Sequence, residues 1–324
     1  EYVPESEKER SPSKFALGLH APGRWDKILN INECHIQTKI ANEILQSIKE
    51  LSSGIEPYNI REHTGFLRNV MIRVAANTNE IMVNIVTSRD EPQTLDTMLD
   101  SLTTKFPNIT SIVNNITTRK AGVSMGEHQI VLHGNEYMLE KLGDYEFMIS
   151  ADSFFQTNTR QAEKLYDIIL EESELTGSEI VYDLFCGTGS ISLFLSKHAK
   201  MVYGFELVMS AVQDAMQNAI HNKVKNAWFF GGNLENLFRE NPEARGLELP
   251  DVIVVDPPRA GLHVKTIEDI IEKSPKRIVY VSCNPASQAR DIALLCNEKY
   301  ELKKLRPVDM FPHTPHVENV ATLI

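Results

Sequence analysis

The chain falls into two stretches of different hydrophobic rhythm. Over residues 36–52, IQTKIANEILQSIKELS, apolar residues recur at helical spacing, with Ile40, Ile44, Leu45 and Ile48 on one stripe. GFLRNVMIRVAANTNEIMVNIVTS reads as two strands joined in a hairpin at NTNE. LDTMLDSLTTKF predicts a second helix, and ITSIVNNIT and HQIVLHGNEYMLEKLGDYEFMIS return to strands. Together these predict a small α+β domain, rich in antiparallel pairing, over residues 16–150. Residues 1–15, charged and Pro/Ser-bearing, predict a disordered leader.

From about residue 155 short apolar strands alternate with helices. EIVYDLF, MVYGFEL, NAWFFGGN, DVIVVDPP and RIVYVSCNP read as strands; TRQAEKLYDIILEES, SISLFLSKHA, MSAVQDAMQNAIHNK, VKTIEDIIEKS and QARDIALLCNE read as helices. That alternation predicts an α/β domain over residues 151–324, a Rossmann-like, doubly wound and mostly parallel sheet. Ligands of such sheets bind at the carboxyl ends of the strands. The polar signals fall at those ends: Asp183, Glu206, Asn233, Asp256 and Cys283.

Composition narrows the class only a little. With 324 residues, 42% hydrophobic and 24% charged, the chain is an ordinary globular one. No apolar run approaches the about 20 residues of a membrane span, and no signal-peptide pattern opens the chain. A start at Glu1 rather than Met fits a fragment or a processed form. Four scattered cysteines, Cys34, Cys186, Cys283 and Cys296, include no C-x-x-C pair. They predict neither a disulfide scaffold nor a zinc ribbon, and they fit a reducing, cytoplasmic setting. A net charge of −11 argues against broad, nonspecific binding of nucleic acid and leaves a local basic groove open.

VYDLFCGTGSIS, residues 181–192, sets Asp183 at a strand end and Gly187 and Gly189 in the turn before a helix. A dinucleotide fingerprint needs a third glycine, which is absent here. The acid in the turn would repel a pyrophosphate and suits a cationic ligand such as S-adenosylmethionine, with its ammonium and sulfonium. Glu206 closes the next strand, where a carboxylate can accept from both ribose hydroxyls. Asn233 closes the third, where it can bond adenine or serve as a helix N-cap. In DVIVVDPPRAG, a buried strand ends in Asp256, and two prolines stiffen the loop that carries Arg259. Arg259 stands where amino-methylating enzymes place a base-stacking aromatic, which argues against methylation of an exocyclic amine.

Cys283 follows a core strand at the ligand edge and precedes a helix, whose N-terminus can lower a thiol from its usual value of about 8.5. The bland reading is a small buried residue, expected for Cys296; Cys186 reads as a packing residue of the turn. Near the end, DMFPHTPHVENVATLI carries His313, His316 and Glu318. Prolines interrupt that set, so no metal site is expected, and Glu318 reads as a general base or as a surface acid before the last strand.

The segments FFQTN, DLFCGTGSIS, DPPRAG, IVYVSCNPASQARD and DMFPHTPHVENV together resemble the RNA uridine-5-methyltransferase family (RumA/TrmA-like), nearest its large-subunit ribosomal RNA branch. The resemblance runs from about GLHAPGRWDKILNINEC to the end. It implies a class I S-adenosylmethionine-dependent methyltransferase domain beside a smaller α+β central, RNA-binding domain. It further implies Cys283 as nucleophile and Glu318 as the base at carbon 5 of uracil. Gln156, Phe185, Ser190, Glu206, Asn233 and Asp256 would line the S-adenosylmethionine and uracil site. The substrate implied is RNA, ribosomal or transfer, for a monomeric protein with no membrane partner. Family members usually carry an N-terminal RNA-binding barrel, and many hold an iron–sulfur cluster on four cysteines. No barrel-length segment precedes residue 15 and only Cys34 resembles a cluster ligand, so no iron–sulfur cluster is expected. The alternatives are a methyltransferase acting on an amine or small molecule, and a catalytically idle RNA-binding assembly factor.

Overall fold

The computed structural model describes residues 15–24, 26–120, 126–235, 238 and 241–324. The expected leader therefore lies outside the described residues, apart from Phe15. The chain forms two compact units, one of residues 1–75 and 79–138, the other of residues 76–78 and 139–324.

In the first unit, β1 (Gly18–His20) pairs antiparallel with β2 (Ile28–Asn30). Helix α1 (Lys39–Leu51) starts at Thr38, whose hydroxyl accepts from the Ala41 N–H at 3.3 Å, and it buries Ile44 and Ile48. A four-stranded sheet runs β3 (Leu67–Val74), β4 (Ile81–Thr87), β5 (Ile109–Ile116), β6 (His128–Gly134). Its outer pairs are antiparallel as expected, but β4 and β5 are parallel. Parallel neighbours need a crossover connection, and α2 (Asp96–Lys105) supplies it. Met98 and Leu102 of α2 pack with Ile44, Ile48, Val83, Ile85 and Ile112 in the core of this unit.

The sequence reading set the domain division at residues 150/151; the contact division falls after Met138. The hairpin β7 (Tyr137–Leu142) and β8 (Tyr145–Ser150) groups mostly with the second unit because it is bonded to α5 (Met209–His221). The Met148 N–H donates to Asn218 Oδ1 at 2.7 Å, and the Glu146 N–H to Asn222 Oδ1 at 2.9 Å.

The second unit is built on a seven-stranded sheet in the order β11 (Ala227–Gly231), β10 (Met201–Glu206), β9 (Ile180–Leu184), β12 (Val252–Val255), β13 (Arg277–Ser282), β15 (Glu318–Leu323), β14 (Leu302–Val308). The first five are parallel neighbours, and β15 runs antiparallel to both β13 and β14. Among the described residues the unit also holds helices α3 (Thr159–Ser173), α4 (Ser190–Ser196), α7 (Val264–Lys273) and α8 (Pro285–Glu298), with the short α6 (Pro242–Arg245). Strands β9 and β12 are buried at every position, which is why their sequences are continuous apolar runs broken only by Asp183. The order reverses between β9 and β12, and a crevice at their carboxyl ends is where such sheets take ligands. Among the described residues, no helix is long and apolar enough to cross a membrane.

Candidate active site

The turn after β9 makes one wall. Phe185 stands in the left-handed region at φ 67°, a conformation that costs a non-glycine residue about 1 kcal/mol or more. The N–H groups of Phe185 and Cys186 both donate to the Phe205 carbonyl, which anchors that bend. Gly189, at φ 78°, caps α4; a Cβ there would meet the Phe229 ring at 2.9 Å. Glu206, at the end of β10, accepts from the Gly187 N–H at 3.1 Å and the Val208 N–H at 2.9 Å. Each carboxylate oxygen keeps acceptor capacity beyond these bonds, as two ribose hydroxyls require.

Asp183 lies inside β9 rather than at its end and is fully buried. Ser192 donates to its Oδ2 at 2.5 Å, while its Oδ1 has no hydrogen-bond partner. Burial, with the Glu206 charge adding to it, pushes Asp183 up to about 7 against the opposing Ser192 bond. A buried carboxyl with one oxygen unpaired fits a cationic or hydrogen-donating group brought to this turn. Cys186 is buried and its thiol is pushed well up by desolvation, in keeping with a packing role.

A second wall comes from β12, β13 and β15. Asp256 follows β12, and its N–H donates to the Leu184 carbonyl at 3.3 Å, continuing the ladder onto β9. Burial, then the charges of Glu318 and Asp183, raise it to about 8. Cys283 follows β13, and Glu318 opens β15 and is buried. The ladder pairs Val281 with Val320 and Ser282 with Asn319, so Cys283 and Glu318 are the next positions of the same register. Burial raises Glu318 above the ordinary carboxylate range, against the nearby Arg259 guanidinium.

The Cys283 thiol is raised too, by burial and then by Glu318, with the Arg259 hydrogen bond and charge opposing. The expectation that the helix N-terminus lowers this thiol is therefore corrected. Asn284 occupies the N-cap and accepts from the Ala286 N–H with its own side chain, and Pro285 has no N–H to offer. Arg259 is the cation that favours the thiolate. Its carbonyl accepts from Asn284 Nδ2 at 2.9 Å, and its guanidinium donates to His316 Nδ1 at 3.1 Å. The loop behind it is clamped by α8: Arg290 donates to the Ala260 carbonyl, and Asp291 Oδ2 accepts from the Leu262 N–H and the Tyr280 hydroxyl.

The remaining expected residues are placed with less direct contact. Gln156 sits half-buried in the loop before α3; two residues on, Asn158 donates to the Met310 carbonyl at 3.0 Å and ties this loop to the segment leading to Glu318. Ser190 spends its hydroxyl on Tyr166 at 2.7 Å, and the Phe185 ring packs on the sheet core. Asn233 lies two residues past β11, and its Oδ1 accepts from the Glu235 N–H at 3.1 Å. His316 is engaged with Arg259, and among the described residues no three His, Cys, Asp or Glu side chains converge as a metal-ion set. Sequence reasoning did not single out Gln288 and Asn319, and it missed β14, whose Lys303, Lys304, Arg306 and Pro307 are edge-strand residues.

A sheet whose strands, counted from β9, run 3-2-1-4-5-7-6 with the seventh antiparallel, and whose Gly-rich turn faces a strand-end Glu, defines the class I methyltransferase fold. The sequence model of the tRNA (Uracil-5-)-methyltransferase family matches residues 75–324, and the chain belongs to that family. It is 42% identical over 320 residues to an uncharacterized RNA methyltransferase of Chlorobaculum tepidum, covering 98% of this chain and 66% of that one. It is 43% identical to another from Porphyromonas gingivalis, covering 100% and 70%. The chain thus spans about two thirds of the length of these relatives. The crystal structure of Pyrococcus abyssi tRNA (uracil-54, C5)-methyltransferase in complex with S-adenosyl-L-homocysteine is similar at a TM-score of 0.75 and 34% identity, over 93% of this chain and 71% of that one.

Proposed function

We propose that the protein transfers a methyl group from S-adenosylmethionine to carbon 5 of a uridine in RNA, through a covalent bond from Cys283 to carbon 6. The observation that carries this reading is the facing of the Cys283 thiol and the Glu318 carboxyl at the ligand edge of the sheet. Family membership and the similarity to the Pyrococcus abyssi enzyme support the substrate class.

When bound, S-adenosylmethionine supplies an electrophilic methyl group on a sulfonium. Glu206 would hold its ribose, Asp183 its cationic end, and Phe185, Ser190 and Asn233 the rest of its pocket. Gln156 and Asp256 would meet the uracil. Carbon 5 of uracil is a poor nucleophile on its own. Addition of the Cys283 thiolate to carbon 6 opens the 5,6 double bond and places electron density on carbon 5. Arg259 steadies the thiolate before that attack. After methylation, Glu318 takes the proton from carbon 5, the carbon–sulfur bond breaks, and the double bond re-forms. A carboxylate raised above its ordinary range is a better base for that step. A stacked or paired uridine must be flipped out of its helix to reach the site.

RNA containing 5-fluorouridine tests the reading, because fluorine stands where Glu318 would take a proton. A denaturation-resistant protein–RNA complex that is lost in Cys283→Ala is expected; its absence with folded protein would overturn the proposal. The name of the Pyrococcus abyssi neighbour favours transfer RNA, and the likeness in the motif segments favours ribosomal RNA. Offering both RNAs in competition decides between them.

A further inference from the structure

We propose that Gln288 is a positioning residue of this reaction, holding Glu318 against Cys283 by way of Asn319. The inference rests on the functional reading above. Gln288 lies in the first turns of α8 with 2% of its surface exposed. Its Nε2 donates to the Tyr280 carbonyl of β13 at 2.8 Å and to the Asn319 carbonyl of β15 at 3.0 Å. Its Oε1 accepts from Asn319 Nδ2 at 2.5 Å. One buried amide therefore bridges both strands that carry the reacting groups, with both of its donors and its acceptor used.

The place of this bridge gives it a catalytic consequence. The backbone ladder between β13 and β15 ends at Ser282 and Asn319, one residue short of Cys283 and Glu318. Beyond it Cys283 leads into α8, while Glu318, the first residue of β15, is paired only on its other side, with Val308 of β14, before the loop carrying His316. Side chains alternate across a strand, so an Asn319 side chain held toward α8 turns Glu318 to the other face. Cys283 follows Ser282 in the same alternation and shares that face, where the charge of Glu318 raises its thiol. Gln288 is the tie that fixes the last pair of the ladder, and with it the separation of nucleophile and base. Loosening it should let the base step fail while addition of sulfur survives, because Cys283 is placed by its own strand and by Asn284.

The test compares two readouts in the full chain. Trapping by 5-fluorouridine RNA needs Cys283 and the methyl donor but no proton removal; tritium release from RNA labelled at carbon 5 of uridine needs Glu318. In Gln288→Leu, trapping should stay close to that of the unaltered protein while tritium release falls by about 10- to 100-fold. A covalent complex should also build up on ordinary RNA. Gln288→Glu, which keeps the acceptor for Asn319 and loses the donor, should show the same split to a smaller degree and stands in where the leucine variant does not fold. Equal loss of both readouts, or loss of neither, overturns the inference. Failure of the unaltered protein to be trapped overturns the functional reading and the inference with it.

Discussion

Cys283 and Glu318, 35 residues apart in sequence, occupy facing positions one step beyond the last pair of an antiparallel ladder, Ser282 with Asn319. Burial raises both groups, the Glu318 charge raises the Cys283 thiol further, and Arg259 is the cation set against both shifts. The chemistry proposed for the site uses each group in turn, and the two steps can be separated by substitution.

Glu318→Gln should leave sulfur addition and methyl transfer possible while blocking removal of the carbon 5 proton. Turnover should drop by about a hundredfold or more, and a covalent protein–RNA complex should accumulate on unmodified RNA. Gel electrophoresis under denaturing conditions measures it. A variant that loses turnover without retaining any complex would assign Glu318 a role before addition.

The reactivity of Cys283 should follow the charges around it. Removing the Glu318 charge lowers the thiol and increases thiolate at neutral pH; removing the Arg259 cation does the opposite. Alkylation by iodoacetamide, followed by mass spectrometry on the Cys283 peptide, should be faster in Glu318→Gln and slower in Arg259→Gln than in the unaltered protein. Cys34 and Cys296, both half-buried and outside this cluster, provide the internal reference. The reverse order would refute the electrostatic account.

Stability should decline as pH rises through neutrality. Asp183 and Asp256 titrate at about 7 and about 8 in the folded chain, against an ordinary carboxyl value of 3.8. The folded state keeps protons there that the unfolded state has already released. The stability this contributes is complete below the unfolded value and is lost as pH climbs through the folded values. Melting followed without ligand from about pH 5 to pH 8.5 should show a falling Tm, with a shallower slope in Asp256→Asn. Equal slopes in the two proteins would remove Asp256 from this linkage.

Gly261 should resist substitution. At φ 81° it turns the loop behind Arg259, and a Cβ would lie 2.4 Å from Asp291 Oδ2. Gly261→Ala should cost about 1–3 kcal/mol in urea unfolding, from strain and from the broken Asp291 clamp. It should also slow trapping by 5-fluorouridine RNA more than Arg290→Lys does. An unchanged urea midpoint would show that the loop relaxes freely.

The strand–helix alternation after residue 155 was legible position by position, and every strand expected there is present. Glu206, Asp256 and Cys283 were also legible as strand-end residues, because each ends an apolar run. Where the reading differed, long-range packing was responsible. The parallel pairing of β4 with β5, the grouping of the β7–β8 hairpin with α5, and the edge strand β14 all depend on partners far along the chain.

Amino-acid order alone carries the doubly wound sheet and the standing of Asp256, Cys283 and Glu318 at strand ends, since strands buried on both faces must be continuous apolar runs and polar residues can then stand only where those runs stop or pay a desolvation cost. It does not carry the meeting of those residues. That Cys283 faces Glu318, that Arg259 reaches the thiol from a loop clamped by Asp291 and Arg290, and that Gln288 spans β13 and β15 follow from strand register and helix docking. Register is a relation between distant segments, and a local pattern holds no record of which segment becomes a neighbour.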